Sequence, residues 1–592
     1  MRDLALASLL HDYRAGLKPA DLVAELRVRI AAHADHHAWI TLLDEAQLAP
    51  HLARLEGQGP DTLPLYGIPF AIKDNIDLAG VPTTAACPDF AYTPQRSATV
   101  VQRLLDAGAI PLGKTNLDQF ATGLVGTRSP YGAVRNAFDP AYISGGSSAG
   151  SAVALALGEV SFSLGTDTAG SGRVPAGFNN LLGIKPTRGR WSIAGVVPAC
   201  RSLDCPSLFA LNPEDARRIG AVMDGADSTD PWSRRGQAVS GPLEGLRLGV
   251  LRADQLEFFG NAGYAALFAQ AMLRWQSLGA ELVQLDFAPF SDVAKLLYEG
   301  PWVAERRHAT QAVAPESMLP VIRQVLAKGE GIDAVGTFDG FYRLQALKRA
   351  ADTVLAGVHA VLTPTAPTHY RIAELEAEPL LLNSRLGTYT NFMNLLDYAA
   401  VAAPAGMTPA GLPFGITLFG PAWSDDYLLA LAQRWMAADP QASGRDASRW
   451  TPQAPPAPPG RIEVAVCGAH LSGMPLNHQL TSRGAFLVAA TRSAPCYRLI
   501  ALAGGPPFRP GMIRDADRGA AIEVEVWSVP EAAFGSFVAG IPAPLGIGKL
   551  ELAGGRWVSG FICESVGEAG ARDITHLGGW RAYVSQSANE RK

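Results

Sequence analysis

The chain has 592 residues, 48% apolar and 18% charged, a globular balance with ample material for a core and room for two to four domains. Its 61 Gly and 43 Pro make it rich in loops, yet it stays below the level of low-complexity chains. Fifty basic residues against 55 acidic give a net charge of −5 with no basic cluster, so nucleic acid is not an expected partner, whereas a small anion held by one Arg stays open.

MRDLALASLLHDYRAG breaks its apolar run with Asp3, His11, Asp12 and Arg14, which predicts an amphipathic helix rather than a signal peptide. ADLVAELRVRIAA predicts a second helix, followed by His33, Asp35, His36 and His37. The (i, i+4) spacing of His33 and His37 suits a metal, but no third ligand follows, so a polar helix end is expected and no metal. LYGIPFAI predicts a buried strand leading into Lys73 and Asp74. ATVVQRLLDAGA has a helical period and precedes the strand-like IPLGKT. Across that junction Gly108 to Thr115 matches the phosphate-loop pattern GxxxxGK[ST]. A phosphate loop follows a strand and opens a helix, the reverse of this order, so a helix-to-strand turn at Gly108 is expected instead.

Further along, SAVALALG predicts a helix leaving a Gly/Ser loop, VSFSLGTDT a strand, and LRLGVL and AVLTPT strands among helical patterns at 263–278 and 343–357. This succession predicts an α/β domain with a mixed sheet flanked by helices over 1–450. TPQAPPAPPG, with five prolines between Pro452 and Pro459, predicts a stiff linker over 451–460. The tail, 461–592, alternates short β-favouring runs (IEVAVCG, AFLVAAT, YRLIALAG, IEVEVWSV, WVSGFICE) with Gly and Pro turns, the pattern of a small, mostly β barrel-like domain. Cys87, Cys200, Cys205, Cys467, Cys496 and Cys563 show no repeated C-x-x-C spacing, so neither a disulfide framework nor a zinc knuckle is expected. No uncharged apolar stretch reaches the ~18 residues of a membrane span, and the expectation is a cytoplasmic protein without membrane partners.

The chemistry concentrates in 142–188. Gly145-Gly146-Ser147-Ser148-Ala149-Gly150-Ser151 is a loop of small residues before a helix, and Thr166-Asp167-Thr168-Ala169-Gly170-Ser171-Gly172 is a second loop after a strand. Glycines beside a serine permit a tight turn with several N–H groups pointing one way, as an oxyanion hole requires. A nucleophilic serine needs a base. No histidine lies between His51 and His308, and the lysines between 52 and 250 are Lys73, Lys114 and Lys185. A lysine serves as base only when burial or neighbours bring its pKa down from ~10.4. Lys73, ending an apolar run, ranks first; Lys114 and Lys185 stay open.

Lys73 in GIPFAIKDN, GGSSAGS at 145–151 and GTDTAGSGRVPA at 165–176 resemble the amidase signature family. That resemblance implies a cofactor-independent Ser-cisSer-Lys triad. Ser171 is the nucleophile, Lys73 the base, and Ser147, in a cis peptide, the relay. The N–H groups of Thr168, Ala169, Gly170 and Ser171 supply the oxyanion hole. Many members carry Gly-Gly-Ser where this chain has Ala169-Gly170-Ser171; the methyl narrows the pocket and fits a small substrate.

TDTAGSGRVPA looks specifically like the allophanate hydrolases. The segment Leu297-Tyr298-Glu-Gly-Pro-Trp302-Val-Ala-Glu-Arg306 resembles the one from which those enzymes take a substrate-binding Tyr and Arg. Pro301 is expected to start a helix, with Tyr298 just before it. A guanidinium fork suits a small carboxylate, and allophanate is a urea unit bearing one. Gly123, in QFATGLVG, lines the pocket by backbone contact in the same resemblance. The tail (AVCGAHLSGMPLNHQL, GGPPFRPGM, IEVEVWSVP) resembles the C-terminal domain of allophanate hydrolases, similar in fold to γ-glutamyl cyclotransferases. The resemblance thus implies a homodimer acting in urea or cyanurate degradation. Deamination gives N-carboxycarbamate, and the second domain assists its decarboxylation. His470, in VCGAHLSG, is the candidate there, beside a purely structural hydrogen bond. No ATP-dependent carboxylase segment is evident, so another enzyme is expected to supply allophanate from urea. The alternatives are another small-amide amidase, the amidase component of a tRNA-dependent amidotransferase, and a scaffold with a decayed amidase domain.

Overall fold

A computed structural model describes residues 2–243, 245–440, 443–445, 461–505 and 508–589. The proline-rich segment 451–460 lies outside them. The described residues form two compact units: the larger holds those up to 239 and from 247 to 445, the smaller those in 240–246 and from 461 on.

The larger unit is built on one mixed sheet of eleven strands. In chain order these are β1 (Trp39–Leu42), β2 (Pro69–Lys73), β3 (Ile110–Thr115), β4 (Phe162–Asp167), β5 (Leu182–Lys185), β6 (Cys205–Ala210), β7 (Arg247–Leu251), β8 (Glu281–Leu285), β9 (Ala360–Pro364), β10 (Ala399–Met407) and β11 (Pro413–Gly420). In space they run β1-β3-β2-β4-β6-β5-β10-β11-β9-β7-β8. β2 pairs parallel with β3 and β4, and β7 with β8 and β9; the remaining neighbours are antiparallel. β2, β3 and β4 are buried throughout, which is why PFAIK and IPLGKT read as continuous runs rather than alternating ones. Exposure appears at the edge strands β1 and β8.

Helix Ala149–Ala156 lies on β2, β3 and β4 with all eight residues buried. Its small side chains permit this closeness: a Cβ on Gly150 would fall 2.1 Å from the Ala38 carbonyl oxygen. Helix Thr99–Asp106 passes through Gly108, at φ +97°, into β3, so the phosphate-loop pattern is a helix-to-strand turn. His33 and His36 face Glu159 Oε1 and the Arg135 carbonyl, each at 3.2 Å. The helix expected over 343–357 starts earlier, as Ala334–Leu355, because Asp333 Oδ1 caps it by accepting from the Gly336 N–H at 2.8 Å. Its first turns carry exposed Val335, Phe338 and Tyr342, which erased the amphipathic contrast a sequence pattern needs.

The smaller unit holds two sheets. Five strands run in space Phe486–Arg492, Glu523–Pro530, Arg461–Val466, Trp557–Cys563, Leu545–Glu551; three run Pro510–Arg514, Tyr497–Ala501, Arg572–Asp573. Val464, Val526 and Phe561 of the first sheet share one apolar core with Leu499 and Met512 of the second. No helix among the described residues is long and apolar enough to cross a membrane.

Candidate active site

Parallel pairing of β2 with β4, Ile72 opposite Leu164, sets the carboxyl ends of the two strands side by side. Lys73 closes β2 and the turn bearing Ser171 follows β4. The third segment, Gly145–Ser148, enters helix Ala149–Ala156. Together they form a chain of polar atoms. Lys73 Nζ lies 2.8 Å from Ser147 Oγ, and the Ser147 hydroxyl donates to Ser171 Oγ over 2.9 Å. The Gly146–Ser147 peptide is cis. Only glycine fits at 146, since a Cβ there would fall 2.2 Å from Asp118 Oδ2.

Lys73 is fully buried, and no carboxylate among the described residues comes within ion-pair distance of it. Its Nζ also lies 2.7 Å from Thr166 Oγ1. Burial lowers its pKa to about 7, against the opposing pull of Asp118, Asp204 and Asp167. The competing lysines face elsewhere: Lys114 pairs with Asp74 at 3.1 Å, and Lys185 donates to the Pro186 carbonyl at 2.7 Å. Of the three, Lys73 faces the serine hydroxyls. Neutral Nζ accepts a proton and its protonated form does not, so kcat/KM for an amide is expected to fall as pH drops through about 7. A profile flat from pH 5 to 9 would remove Lys73 as the base.

The turn after β4 is fixed by a buried ion pair. Asp167 and Arg173 are both fully buried, with Oδ2 2.9 Å from Nε and Oδ1 2.9 Å from Nη2. Burial alone would push the Asp167 carboxyl up; the Arg173 guanidinium overrides it and holds the carboxyl below its ordinary value. Asp167 also accepts from the N–H groups of Gly170 (2.9 Å) and Gly172 (3.0 Å). The Gly170 N–H is therefore engaged by Asp167, a departure from its expected place in an oxyanion hole. The N–H groups of Thr168, Ala169 and Ser171 meet no acceptor among the described residues. Thr168 anchors the turn by donating its hydroxyl to Asp204, whose buried carboxyl is pushed up to about 6. The Ala169 methyl belongs to an apolar cluster with Cys200, Leu203, Leu297 and Trp302.

Arg306 sits in helix Trp302–Ala309, with Pro301 at its N-cap. Tyr298 lies in the last turn of the preceding helix, Ala288–Glu299, rather than in a free segment. The Arg306 guanidinium stands 5.3 Å from the Tyr298 ring centre, and its Nη1 donates to Thr122 Oγ1 at 3.2 Å. Its Nε and Nη2 are buried without a partner. Thr122 joins Arg306 to the triad: Gly123 follows it in a loop held by Asp118, which accepts from the N–H groups of Val125, Gly126 and Arg128 at 3.0–3.1 Å. Asp118 in turn donates its own N–H to the Ser147 carbonyl at 3.2 Å. Lys73, Ser147, Ser171, the 168–170 turn, Gly123, Tyr298 and Arg306 thus belong to one site. His470 belongs to the smaller unit. Sequence reasoning missed Thr166, Asp118 and the Asp167–Arg173 pair; charged residues inside apolar, glycine-rich motifs were the available signal.

The Amidase family model matches residues 21–429, and the model of the allophanate hydrolase C-terminal domain matches 462–585. The chain is 45% identical over 571 residues to urea amidolyase of Saccharomyces cerevisiae, covering 92% of this chain and 31% of that protein. It therefore spans about a third of the length of that relative. It is 33% identical over 444 residues to a glutamyl-tRNA(Gln) amidotransferase subunit of Prochlorococcus marinus, covering 68% of this chain and 90% of the relative. The Kluyveromyces lactis allophanate hydrolase structure superposes with a TM-score of 0.79 at 40% identity, over 98% of this chain and 99% of that one. The corresponding amidotransferase subunit of Thermotoga maritima gives a TM-score of 0.62 at 25% identity, over 74% and 98%. The chain belongs to the amidase family, with an allophanate hydrolase C-terminal domain after its amidase domain.

Proposed function

We propose that the chain hydrolyses allophanate to ammonia and carbon dioxide, with N-carboxycarbamate as the first product, as one step of urea degradation. Ser171 Oγ attacks the terminal amide carbonyl while its proton passes through Ser147 to Lys73. The C–N bond breaks, the proton returns by the same route to the leaving nitrogen, and ammonia departs. Water then enters along that path and hydrolyses the acyl-enzyme. The N–H groups of Thr168, Ala169 and Ser171 receive the developing oxyanion. Arg306 carries the substrate assignment. Its two unpartnered, buried nitrogens call for an anion, and a carboxylate matches the guanidinium fork. The likeness to a solved allophanate hydrolase over 98% of the chain supports the same reading.

The test is ammonia release from allophanate beside malonamate, acetamide and glutamine, for the parent and Arg306→Ala. Allophanate is expected to be strongly preferred. Arg306→Ala should lower its kcat/KM by roughly 10–100-fold, the worth of a charge-assisted hydrogen bond, while a fluorophosphonate still labels Ser171. Equal turnover of the simple amides, or an Arg306→Ala variant that keeps the preference, would retain an amidase and discard this substrate. Glutamine as the preferred substrate would point to amidotransferase chemistry.

We also infer a homodimer in the cytoplasm. The exposed apolar row Val335, Phe338 and Tyr342 supports the first and the six free cysteines the second. Sedimentation velocity of the same preparation reads the dimer, and a monomer at micromolar concentration would refute it.

A further inference from the structure

Thr122 is held by two buried guanidiniums, and the serine chain accounts for neither. Arg128 stands in the connection between β3 and helix Ala149–Ala156 and is buried. Its Nη1 donates to the Thr122 carbonyl at 2.9 Å and its Nη2 to the Pro379 carbonyl at 2.7 Å, while its Nε is buried without a partner. Arg306 holds the same residue by its hydroxyl, with Nη1 3.2 Å from Thr122 Oγ1, and its Nε and Nη2 have no partner. Gly123 follows. Its own N–H meets no acceptor among the described residues. A Cβ on Gly123 would fall 2.6 Å from Asp118 Oδ2 and 3.1 Å from Arg128 Cδ, so the stem of Arg128 packs directly on the glycine. One residue further, the Leu124 N–H donates to Asn383 Oδ1 at 2.9 Å and fixes the chain there.

The surroundings supply little counter-charge. Among the described residues neither Arg128 nor Arg306 forms an ion pair. Asp118, the carboxylate of this loop, is engaged instead by the N–H groups of Val125, Gly126 and Arg128. Burial lowers the Arg128 pKa; Asp118 and the Tyr298 phenol oppose that, and the Arg306 guanidinium adds to it, so the two cations feel one another. A guanidinium stays charged at neutral pH even so. Two like charges buried about one residue are costly to a fold unless an anion joins them. Unpartnered donors from three residues thus gather around Thr122–Gly123: Arg306 Nε and Nη2, Arg128 Nε and the Gly123 N–H.

We propose that Arg128 is a specificity-determining residue of the amide site, joining Arg306 in making the Thr122–Gly123 corner a receptor for a carboxylate and a poor host for a neutral amide. It acts in two ways. Its fork holds the Thr122 carbonyl and so sets the Gly123 N–H, and its charge doubles the positive field that a carboxylate meets. The inference rests on the proposed function in placing Arg306 at the substrate's anionic end. No bond forms or breaks at Arg128, and its role is confined to selecting and seating the ligand.

Malonate is the probe, and its protection of Ser171 against a fluorophosphonate is the readout, on the full chain. Labelling without malonate reports that each variant is folded. Malonate is expected to slow labelling of the parent saturably, and malonamide, its neutral diamide, far less. Arg128→Met should raise the malonate concentration for half-protection by roughly tenfold or more, as the loss of a charge-assisted contact does. Arg128→Lys returns the charge without the planar fork and should stay closer to the parent, within roughly threefold. A mere strut for the loop would be lost equally in both variants. Equal weakening in Met and Lys, undiminished protection in Arg128→Met, or equal protection of the parent by malonamide would overturn the proposal. Should Arg128→Met not label, Arg306→Ala decides: a reduced preference for malonate over malonamide is expected to survive there, carried by Arg128, and its complete loss would overturn the proposal. Ammonia release from allophanate is read separately. If it fails while malonate protection depends on Arg128, the proposed function falls and the paired-guanidinium site stands; if allophanate is hydrolysed and Arg128→Met is protected like the parent, this inference alone falls.

Discussion

Ser171→Ala is expected to abolish ammonia release from allophanate, lowering kcat/KM by roughly 10⁶, the scale on which activated-serine hydrolases lose rate with their nucleophile. The size follows from position. Ser171 Oγ ends the hydroxyl chain that begins at Lys73 Nζ, so its removal leaves Ser147 with no proton to relay. The change deletes one oxygen from a turn held by Asp167 and Arg173, and the unfolding midpoint should move little. A fluorophosphonate should label the parent and leave the variant untouched. More than about one per cent residual kcat/KM, on the same rate scale, would place the nucleophile elsewhere.

The largest stability effect is expected at Arg173. Arg173→Met leaves the fully buried Asp167 carboxylate without its guanidinium, and breaking one side of such a pair costs about 3–5 kcal/mol. Arg173 also reaches the Thr390 carbonyl at 3.4 Å and Asn394 Oδ1 at 3.3 Å, so the loss spreads into the segment beside the turn. Urea denaturation of parent and variant measures the difference. The double change Asp167→Asn with Arg173→Met should recover part of it, because no charge is then left buried. A loss under about 1 kcal/mol in the single variant would mean that water or rearrangement satisfies Asp167, and the pair would not be what fixes the turn.

The parts of this molecule that were legible in its sequence share a physical cause: local signals strong enough to survive without context. LYGIPFAI and IPLGKT are short, apolar and bounded by charge or glycine, and both became buried strands. Gly108 betrayed a turn because helix and strand periods meet there. The serine loops stood out by composition and by family likeness. What stayed hidden depends on partners far apart in the chain. Asp118 and Thr166 sit beside the Lys73–Ser147–Ser171 chain only because β2, β3 and β4 align, and nothing in DQF or GTD announces that. Gly170 looked like a free donor until Asp167 took its N–H. Pro301 marks a helix start and so predicts Tyr298 just before it, yet the preceding helix runs on to Glu299.

The parallel alignment of β2 and β4 has a consequence for how such a protein diversifies. Lys73 and the serine turn are carried by the sheet, and slipping β2 by one residue would send Lys73 to the opposite face, so the proposed catalytic chain tolerates almost no drift. Arg306 and Tyr298 ride instead on two helices in the connection between β8 and β9, outside every strand of the sheet. In the proposed function recognition is thereby partly separable: exposed positions of the 288–309 segment can change, whereas Leu297 and Trp302, which pack with Ala169 of the serine turn, cannot change freely.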